Sequence, residues 1–279
     1  MPTSPYLWTK SKARLKFVCA NSGENYHWLF LPGGPGLGSE SLNGLAEIVH
    51  LPGSSWYVDL PGDGSNTTEN DAEYFSHWSQ ALVEVTSVLP NVILVAHSSG
   101  GMFALATPAL EDILVGLVLM DSAPNAMWQH YFTRYIKENP LREAIKLQAQ
   151  YDENPSNEIL KQLTIACASY FSTNISLQQV MSLLNALPFN YKTHLWAANH
   201  FDQTYQATWI PKTLPTLIIA GDQDPITPLK LFTELRDFKR DNILIRNIQH
   251  ASHFPWLDNP IQMKQIFTEF VKKLPSCKD

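Results

Sequence analysis

A serine stands at the end of a long apolar run with small residues on both sides, and few folds accommodate this arrangement. The apolar run begins at Val92, and the small residues Ala96 and Gly100 lie two positions before and after Ser98. This spacing is typical of a nucleophile on a tight strand-to-helix turn, where a larger flanking side chain would collide with the neighbouring backbone. Ala96 replaces the first glycine of the usual Gly-x-Ser-x-Gly pattern. A buried strand followed by a serine N-cap gives the same pentapeptide, so the motif alone leaves both interpretations open.

Apolar runs rich in valine, isoleucine and leucine alternate along the chain with segments of helical period. This alternation is typical of a parallel sheet covered by helices on both faces. We predict strands at residues 15–20, 27–31, 55–59, 91–96, 114–121, 214–220 and 243–248. We predict helices at residues 39–49, 72–89, 100–110, 228–238 and 260–274. With 279 residues, 44% of them hydrophobic, the chain can bury a large core around such a sheet.

Residues 125–210 depart from this pattern, because they carry many aromatic and amide side chains, helical spacing throughout and no convincing strand. We predict that they form a helical insertion between two strands of the sheet. An insertion at that point lies over the carboxyl ends of the strands, where ligands bind in such folds. The sequence therefore predicts an α/β fold with a mostly parallel central sheet, a core of residues 1–124 and 211–279, and a helical cap at residues 125–210.

Two loops downstream of Ser98 carry the groups that a serine nucleophile needs. A serine hydroxyl is a weak nucleophile at neutral pH, so it requires a base and a group that orients the base. One apolar strand runs into a loop with two aspartates, Asp222 and Asp224, and the last strand runs into a loop with two histidines, His250 and His253. The residues alone indicate the order Ser, Asp, His and leave the choice within each pair open.

Four separated segments carry a resemblance to a known family. They are Gly-Gly-Pro-Gly at residues 33–36, Asp-Leu-Pro-Gly-Asp-Gly-Ser at residues 59–65, the turn at Ser98, and the paired endings at residues 221–224 and 252–256. The order Ser, Asp, His is the chain order of the α/β-hydrolase triad. The chain resembles the α/β-hydrolase superfamily, in the branch of proline iminopeptidases, lactonases, carboxylesterases and carbon–carbon bond hydrolases. The matching segments span nearly the whole chain apart from the insertion.

The resemblance implies a role for one member of each pair beside the nucleophile. Asp224 matches the second aspartate of the family pattern Gly-Asp-x-Asp, and Asp222 is then a turn residue that bonds its own backbone. His253 matches the family histidine that precedes Phe-Pro-Trp and is the implied base, which leaves His250 at the surface or behind the site. Asp121 also closes a predicted strand, and some branches of the superfamily use that position, so Asp121 is the alternative acid.

The resemblance also implies two backbone donors for the negative charge that develops on an attacked carbonyl oxygen. One is the amide of Ser99, at the start of a predicted helix whose dipole adds partial positive charge. The other is the amide of Gly34, where the absence of a side chain lets substrate approach the main chain. Pro32 stands where the family motif has a histidine that supports this loop. A proline fixes its own backbone angle and offers a different source of stiffness.

These assignments predict a serine hydrolase that cleaves an ester, thioester, lactone or amide of a small molecule through an acyl-enzyme. A proline iminopeptidase-type aminopeptidase is an alternative, weakened because Ala-His-Ser-Ser-Gly and Asp-Leu-Pro-Gly replace its usual Gly-Gly-Ser-Trp-Gly and Asp-Gln-Arg-Gly. That activity needs a carboxylate in the insertion to pair with the substrate amine. The candidates are Glu138, Glu143, Asp152, Glu153, Glu158 and Asp202, of which all but Asp202 lie in polar stretches. The same fold also supports a lyase, a cofactor-free oxygenase or a non-catalytic ligand receptor.

We expect no metal and no cofactor. The pair His194 and His200 and the pair His250 and His253 lack further ligands at metal spacing. No Gly-x-Gly-x-x-Gly follows a predicted strand, so a nucleotide cofactor is not implied. The cysteines are odd in number and widely spaced, which fits neither a disulfide framework nor a zinc site. They are Cys19, Cys167 and Cys277.

The net charge and the composition of the first residues limit the kinds of partner that we expect for the chain. A net charge of −6 with mixed signs and no basic stripe argues against nucleic acid as the main partner. Residues 1–15 carry polar and proline residues where a secretory signal needs an uninterrupted apolar core, and no later segment approaches a membrane span. We therefore expect a cytoplasmic protein that acts on a small-molecule substrate, and the sequence does not indicate its oligomeric state.

Overall fold

The apolar runs of the sequence lie side by side in one sheet. The structure is a computed structural model that describes residues 5–67 and 75–277. Within these residues the strands are β1 (Tyr6–Trp8), β2 (Arg14–Asn21), β3 (His27–Leu31), β4 (Gly53–Asp59), β5 (Val92–His97), β6 (Gly116–Met120), β7 (Thr216–Gly221) and β8 (Ile243–Ile248). They form an eight-stranded sheet in the order β1-β2-β4-β3-β5-β6-β7-β8. The β1–β2 and β2–β4 pairs are antiparallel and the other pairs are parallel, so the carboxyl ends of β5 to β8 meet at one edge.

Helices cover both faces of the sheet. In the described residues they are α1 (Leu45–Val49), α2 (Trp78–Thr86), α3 (Ser99–Leu105), α4 (Leu110–Ile113), α5 (Trp128–Glu138), α6 (Arg142–Glu153), α7 (Asn157–Ala166), α8 (Ala168–Phe171), α9 (Leu177–Asn185), α10 (Tyr191–Trp196), α11 (Lys230–Thr233), α12 (Pro255–Asp258) and α13 (Pro260–Val271). Short 3₁₀ turns lie at Ser39–Leu42, Phe75–His77 and Arg236–Phe238, and a π-helical turn at Ala197–Phe201 follows α10. None of the described helices combines the length and the apolarity that a bilayer crossing requires.

Side-chain alternation along β5 divides the core into two layers. Ile93 and Val95 pack in one cluster with residues of α1 and α13, whereas Leu94 packs in a second cluster with residues of α2 and α3. Successive side chains of a strand point to opposite faces, so a strand that is apolar at every position must be covered on both sides. The predicted α/β architecture, with a mostly parallel sheet and helices on both faces, is confirmed.

The predicted strands lie within two residues of the observed ones, while several helices are shorter than predicted. The strand β1 has three half-exposed or exposed residues and was not predicted. The helix predicted at 39–49 is broken at Gly44, whose φ of 85° lies in the left-handed region. The helix predicted at 100–110 ends at Leu105, since Pro108 cannot continue it. Residues 72–74 of another predicted helix lie outside the described residues.

The segment between β6 and β7 contains helices α5 to α10 and no strand of the sheet. Its helices bury Leu147, Leu160 and Leu184 in a cluster that is continuous with one layer of the core. An isolated antiparallel bridge between Asn125 and Gln206 joins its two ends. The bridge therefore closes the segment near the carboxyl end of β6, and residues 207–215 lead back to the amino end of β7, which is parallel to β6.

Candidate active site

Ser98 lies on a strained turn between β5 and α3. Its φ of 52° and ψ of −124° are unfavourable for any residue other than glycine, and this conformation costs about 1–3 kcal/mol. The Ser98 amide donates to the Met120 carbonyl at 2.9 Å, and the Ser122 hydroxyl donates to the Ser98 carbonyl at 2.7 Å. A Cβ at Gly100 would lie 2.4 Å from the Pro32 carbonyl oxygen, so only glycine fits there. The surrounding backbone thus holds Ser98 with its side chain towards the edge of the sheet.

A continuous chain of hydrogen bonds runs from Ser98 through His253 to Asp224. The distance from Ser98 Oγ to His253 Nε2 is 3.1 Å, and His253 Nδ1 lies 2.9 Å from Asp224 Oδ2. Asp224 also accepts hydrogen bonds from the Thr227 hydroxyl at 2.7 Å and the Ile226 amide at 2.9 Å. An ionised Asp224 accepts only, so His253 Nδ1 carries the proton and Nε2 is free to accept one from Ser98.

Burial and hydrogen bonding act on the pKa of Asp224 in opposite directions. Burial alone raises it, because the charged form loses water. His253 and the donors Thr227 and Ile226 favour the carboxylate and outweigh burial, so the pKa of Asp224 lies below its usual value. Asp224 is therefore charged at neutral pH and can stabilise a positive imidazolium on His253.

The loops after β7 and β8 cross each other and so bring Asp224 and His253 together. A Cβ at Gly221 would lie 2.3 Å from the Ala251 carbonyl oxygen, so this close crossing requires glycine. The Asp222 carboxylate accepts the Ala251 amide at 3.2 Å and is exposed, so it holds the loop from outside the site. His250 is also exposed, with a φ of 56°, and does not join the hydrogen-bond chain.

His97 supports the same loop from the turn before Ser98. One ring nitrogen of His97 lies 2.9 Å from the His253 carbonyl oxygen and donates to it, and the two rings lie 4.9 Å apart. Burial, followed by the neighbouring His253, lowers the pKa of His97 to about 3, so this ring is neutral at physiological pH. Sequence reasoning assigns no role to His97, although it directly precedes the candidate nucleophile.

Asp121, the alternative acid, lies behind this hydrogen-bond chain. It directly follows β6, is fully buried and accepts the Gly221 amide at 2.9 Å. His253 makes its hydrogen bond to Asp224 instead. Among the described residues Asp121, Asp224 and His253 offer ligand atoms within 4.8 Å of one another. Both ring nitrogens of His253 already have partners in Asp224 and Ser98, so we assign no metal to this group.

Gly34 and Ser99 both line the cavity that contains Ser98, and their amides have no acceptor among the described residues. Ser99 is the first residue of α3, where backbone N–H groups have no partner within the helix. Gly34 has a φ of 57°, which favours glycine, and its carbonyl accepts the Leu37 amide at 2.9 Å. The neighbouring Gly33 approaches most closely, since a Cβ there would lie 2.3 Å from Ser98 Cβ and 3.1 Å from Ser98 Oγ. The sequence motif contains Gly33 but does not reveal this contact.

Two buried carboxyl groups bind the loop that follows Pro32, where the family motif has a supporting histidine. Asp63 accepts the Gly36 amide at 2.7 Å, and Asp59 accepts the Ser39 amide at 2.7 Å. Asp59 is itself paired with the Arg14 guanidinium at 2.7 Å. Pro32 is buried at the start of the loop. The loop at residues 32–39, which we call the donor loop, is therefore held by hydrogen bonds to its amides rather than by an imidazole.

A cavity of about 230 Å³ opens directly onto Ser98. Most of its lining is apolar, and the helices between β6 and β7 contribute part of it. Examples are Trp128, Phe132, Phe171 and Leu184 from those helices, and Met102 and Ile226 from the rest of the chain. His194 also lines the cavity, with Nδ1 3.1 Å from the Tyr151 hydroxyl, and burial lowers its pKa to about 4. Among the described residues, His194 and His200 are not part of a cluster of possible metal ligands.

Asn190 ties the helical segment to two loops beneath it. Its side-chain amide donates to the Gly62 carbonyl at 2.8 Å, and its backbone amide donates to the Gly36 carbonyl at 2.8 Å. Its side-chain oxygen caps α10 by accepting the Lys192 amide at 3.2 Å. The Thr193 hydroxyl also donates to the Gly62 carbonyl. The start of α10 and the donor loop are thus held against each other.

Gly33→Ala tests the contact between the donor loop and Ser98. The added methyl would lie 2.3 Å from Ser98 Cβ, so the loop or the turn must shift. A shift of about 1 Å is enough to lower kcat/KM by about 100-fold, measured with any cleaved ester. Gly116→Ala is the matched control, because its methyl would meet the flexible end of Leu274 far from the site. Equal activity losses in the two variants would contradict this geometry.

A mostly parallel sheet with a serine on the turn after β5, an aspartate after β7 and a histidine after β8 is the arrangement of the α/β-hydrolase class. A sequence model of the alpha/beta hydrolase family matches residues 28–263. The chain therefore belongs to the alpha/beta hydrolase family, as the resemblance predicted.

Three known proteins resemble the chain over more than 90% of its length. It is 24% identical over 266 residues to "Putative esterase/lipase 2" of Mycoplasma pneumoniae, covering 92% of each chain. An alpha/beta fold family hydrolase from Bacillus anthracis superposes with a TM-score of 0.73 at 16% identity, covering 95% of this chain and 98% of that one. A proline iminopeptidase-related protein from Thermus thermophilus gives a TM-score of 0.69 at 16% identity, covering 96% of both chains. At these identities the two solved structures establish the fold alone.

Proposed function

We propose that this protein is a serine hydrolase that cleaves an ester, thioester, lactone or amide bond of a small molecule through an acyl-enzyme. The observation that carries the proposal is the hydrogen-bond chain from Ser98 through His253 to Asp224, at 3.1 Å and 2.9 Å. The two unpartnered amides beside Ser98 support it. Family membership and the resemblance to a protein named as an esterase/lipase agree with this reaction class.

The proposed reaction has two stages, formation of the acyl-enzyme and its hydrolysis. His253 Nε2 takes the proton of Ser98 Oγ while Oγ bonds to the substrate carbonyl carbon. The amides of Gly34 and Ser99 then donate to the oxygen that becomes negative, and Asp224 stabilises the imidazolium. His253 returns the proton to the leaving group as the acyl-enzyme forms. A water molecule, activated by His253, releases the acid and restores Ser98.

The helical segment at residues 125–210 acts in this proposal as a cap over a core of residues 1–124 and 211–279. It contributes apolar side chains to the cavity, including Trp128 and Phe132. A cavity of about 230 Å³ with such a lining suits a compact, largely apolar acyl group. Cleavage should therefore be fastest for short or medium acyl chains.

A substrate panel on the wild type and Ser98→Ala tests the reaction class. The panel contains esters, lactones, thioesters and aminoacyl arylamides of similar size. We expect the wild type to cleave at least one class, with loss of that activity in Ser98→Ala and covalent labelling of Ser98 by an alkyl fluorophosphonate. A lyase, a cofactor-free oxygenase or a ligand receptor predicts that no member of the panel is hydrolysed.

One observation favours the aminopeptidase as a second candidate. Asp202 lines the cavity, and its Oδ1 is buried without a hydrogen-bond partner among the described residues. Burial raises the pKa of Asp202 to about 6, so the group is mostly ionised at pH 7.5. A buried carboxylate without a partner is costly, and a substrate amine or other donor would satisfy it. The substrate class can therefore include acyl groups that carry an amine.

Asp202→Asn is expected to raise KM for an aminoacyl ester about 10-fold and to leave KM for a neutral ester of the same size nearly unchanged. The same preference for the amine should disappear in the wild type as the pH falls through about 6, because the Asp202 carboxyl becomes neutral. The measurement is KM for both esters between pH 5 and pH 8. An equal rise in KM for both substrates would show that Asp202 only supports the cavity wall.

A further inference from the structure

Asp121 is a buried carboxyl group with an unused oxygen. It follows β6 with a φ of 44°, and its backbone amide donates to the Ile219 carbonyl at 2.8 Å. Its Oδ1 accepts the Gly221 amide at 2.9 Å, whereas its Oδ2 is buried and has no donor among the described residues. Such a group must either carry a proton that it can donate or leave a charge uncompensated.

Asp224 is the acceptor available to such a proton. One oxygen of each carboxyl and one ring nitrogen of His253 lie within 4.8 Å of one another. Asp224 Oδ2 already accepts from His253 and Thr227, whereas Oδ1 accepts only from the Ile226 amide and retains a lone pair. Two buried carboxylates at this separation cannot both ionise at low cost. Asp224 has the donors that favour the charge, so the proton belongs to Asp121.

We propose that Asp121 is a positioning residue whose neutral carboxyl donates a hydrogen bond to Asp224 and so limits how strongly Asp224 stabilises a protonated His253. This inference rests on the proposed triad. The donated hydrogen bond withdraws part of the negative charge that faces His253 Nδ1. His253 therefore stays neutral, and able to act as a base, to lower pH than it would beside an Asp224 without this donor.

The charged and titratable groups around Asp121 favour the neutral form of its carboxyl group. Burial, followed by the charge of Asp224, raises the pKa of Asp121 well above its usual value. Asp258, on the helix α12, acts in the same direction. His97, whose ring faces His253, is neutral and supplies no compensating positive charge. The Gly221 amide favours the ionised form of Asp121, but burial and the two neighbouring carboxyl groups outweigh it.

The pH dependence of Ser98 labelling by an alkyl fluorophosphonate tests this assignment without knowledge of the natural substrate. The labelling rate falls at low pH as His253 becomes protonated, and the midpoint of this fall is the measured quantity. Asp121→Asn keeps a donor for Asp224 and an acceptor for Gly221 and has no charge. We expect its midpoint within about 0.3 pH unit of the wild type.

Asp121→Ala removes the donor and should move the midpoint up by about 0.5–1 pH unit while slowing labelling at the optimum about 5–10-fold. Asp222→Asn is the matched control, because it removes an exposed charge from the same loop as Asp224, keeps an oxygen that can accept the Ala251 amide and should leave the midpoint unchanged. Near-ultraviolet circular dichroism checks that each variant is folded. If Asp121→Ala does not fold, the Asp121→Asn midpoint alone decides.

Three results would overturn the inference and one would overturn the triad instead. A midpoint at least about 0.5 pH unit lower in Asp121→Asn would show that Asp121 is charged, because removing a nearby negative charge destabilises the imidazolium. Slower labelling in Asp121→Ala with no change of midpoint would show a purely structural role. Loss of wild-type labelling after EDTA treatment would show that a cation, not a proton, joins the carboxyl groups. Absence of wild-type labelling without EDTA would refute the proposed triad itself.

Discussion

Ser98→Ala is expected to lower kcat for the cleaved substrate by about five orders of magnitude. The alanine cannot form the acyl-enzyme, and His253 is left without the hydroxyl that lies 3.1 Å from its Nε2. The two backbone donors are unaffected, so a residual rate about 10³-fold above the uncatalysed reaction should remain. Steady-state kinetics on the wild type and the variant measure both quantities.

The fold should be unchanged in this variant or slightly more stable. A Ser98 φ of 52° is strained for alanine as for serine, so the thermal midpoint tests whether the turn persists. Ser87→Ala, at the exposed end of α2, is the matched control and should retain wild-type kinetics. Ester cleavage by Ser98→Ala at more than about a tenth of the wild-type rate would reject the acyl-enzyme mechanism.

Asp224→Asn is expected to lower kcat about 10⁴-fold, the second largest effect. The amide has no charge to stabilise the imidazolium, and its NH₂ group can favour the wrong tautomer of His253. Asp224 Oδ2 lies 2.9 Å from His253 Nδ1 and 2.7 Å from the Thr227 hydroxyl, so the loss affects both contacts.

Variants of the two other aspartates near this loop show whether the loss of activity is specific to Asp224. Asp222→Asn removes an exposed carboxylate two residues away and should change kcat less than about threefold. Asp121→Asn should likewise retain most activity if His253 uses Asp224. A large loss in Asp121→Asn together with a small loss in Asp224→Asn would reassign the acid to the end of β6.

The sheet and the meeting point of the site were predictable because buried parallel strands appear in the sequence as continuous apolar runs. The residue that follows each run lies at the carboxyl edge of the sheet, where all the parallel strands end. Ser98, the loop of Asp224 and the loop of His253 follow three such runs, and the structure places them within hydrogen-bond distance. Their catalytic roles are the proposal that the variants above test.

Contacts between distant segments were not predictable, because no local pattern encodes them. Gly33 and Gly34 are equivalent in the sequence, and only the folded loop shows that Gly33 lies against Ser98. Asp59 and Asp63 appear as ordinary polar residues of a turn until the chain brings the amides of Ser39 and Gly36 to them. These two contacts hold the loop that follows Pro32.

The strand β1 was not predicted, because it is short and partly exposed and so lacks the apolar run that identified the other strands.

The burial of polar groups was not predictable from the sequence either. Asp121 and Asp202 were recognised as candidates from their positions, whereas their unpartnered oxygens depend on the packing of several elements around them. A sequence pattern locates a carboxyl group on the chain, and tertiary structure determines whether it holds a proton.

The hydrogen bonds of Asn190 have a consequence for how a substrate reaches Ser98. They join the first residues of α10 to the backbone at Gly36 and Gly62. An outward movement of α10 would therefore pull the donor loop, which contains Gly36, away from Ser98. A substrate that enters by the route that this movement opens would find the donor loop displaced from Ser98. Reaction would then require α10 and the donor loop to return to the positions described above.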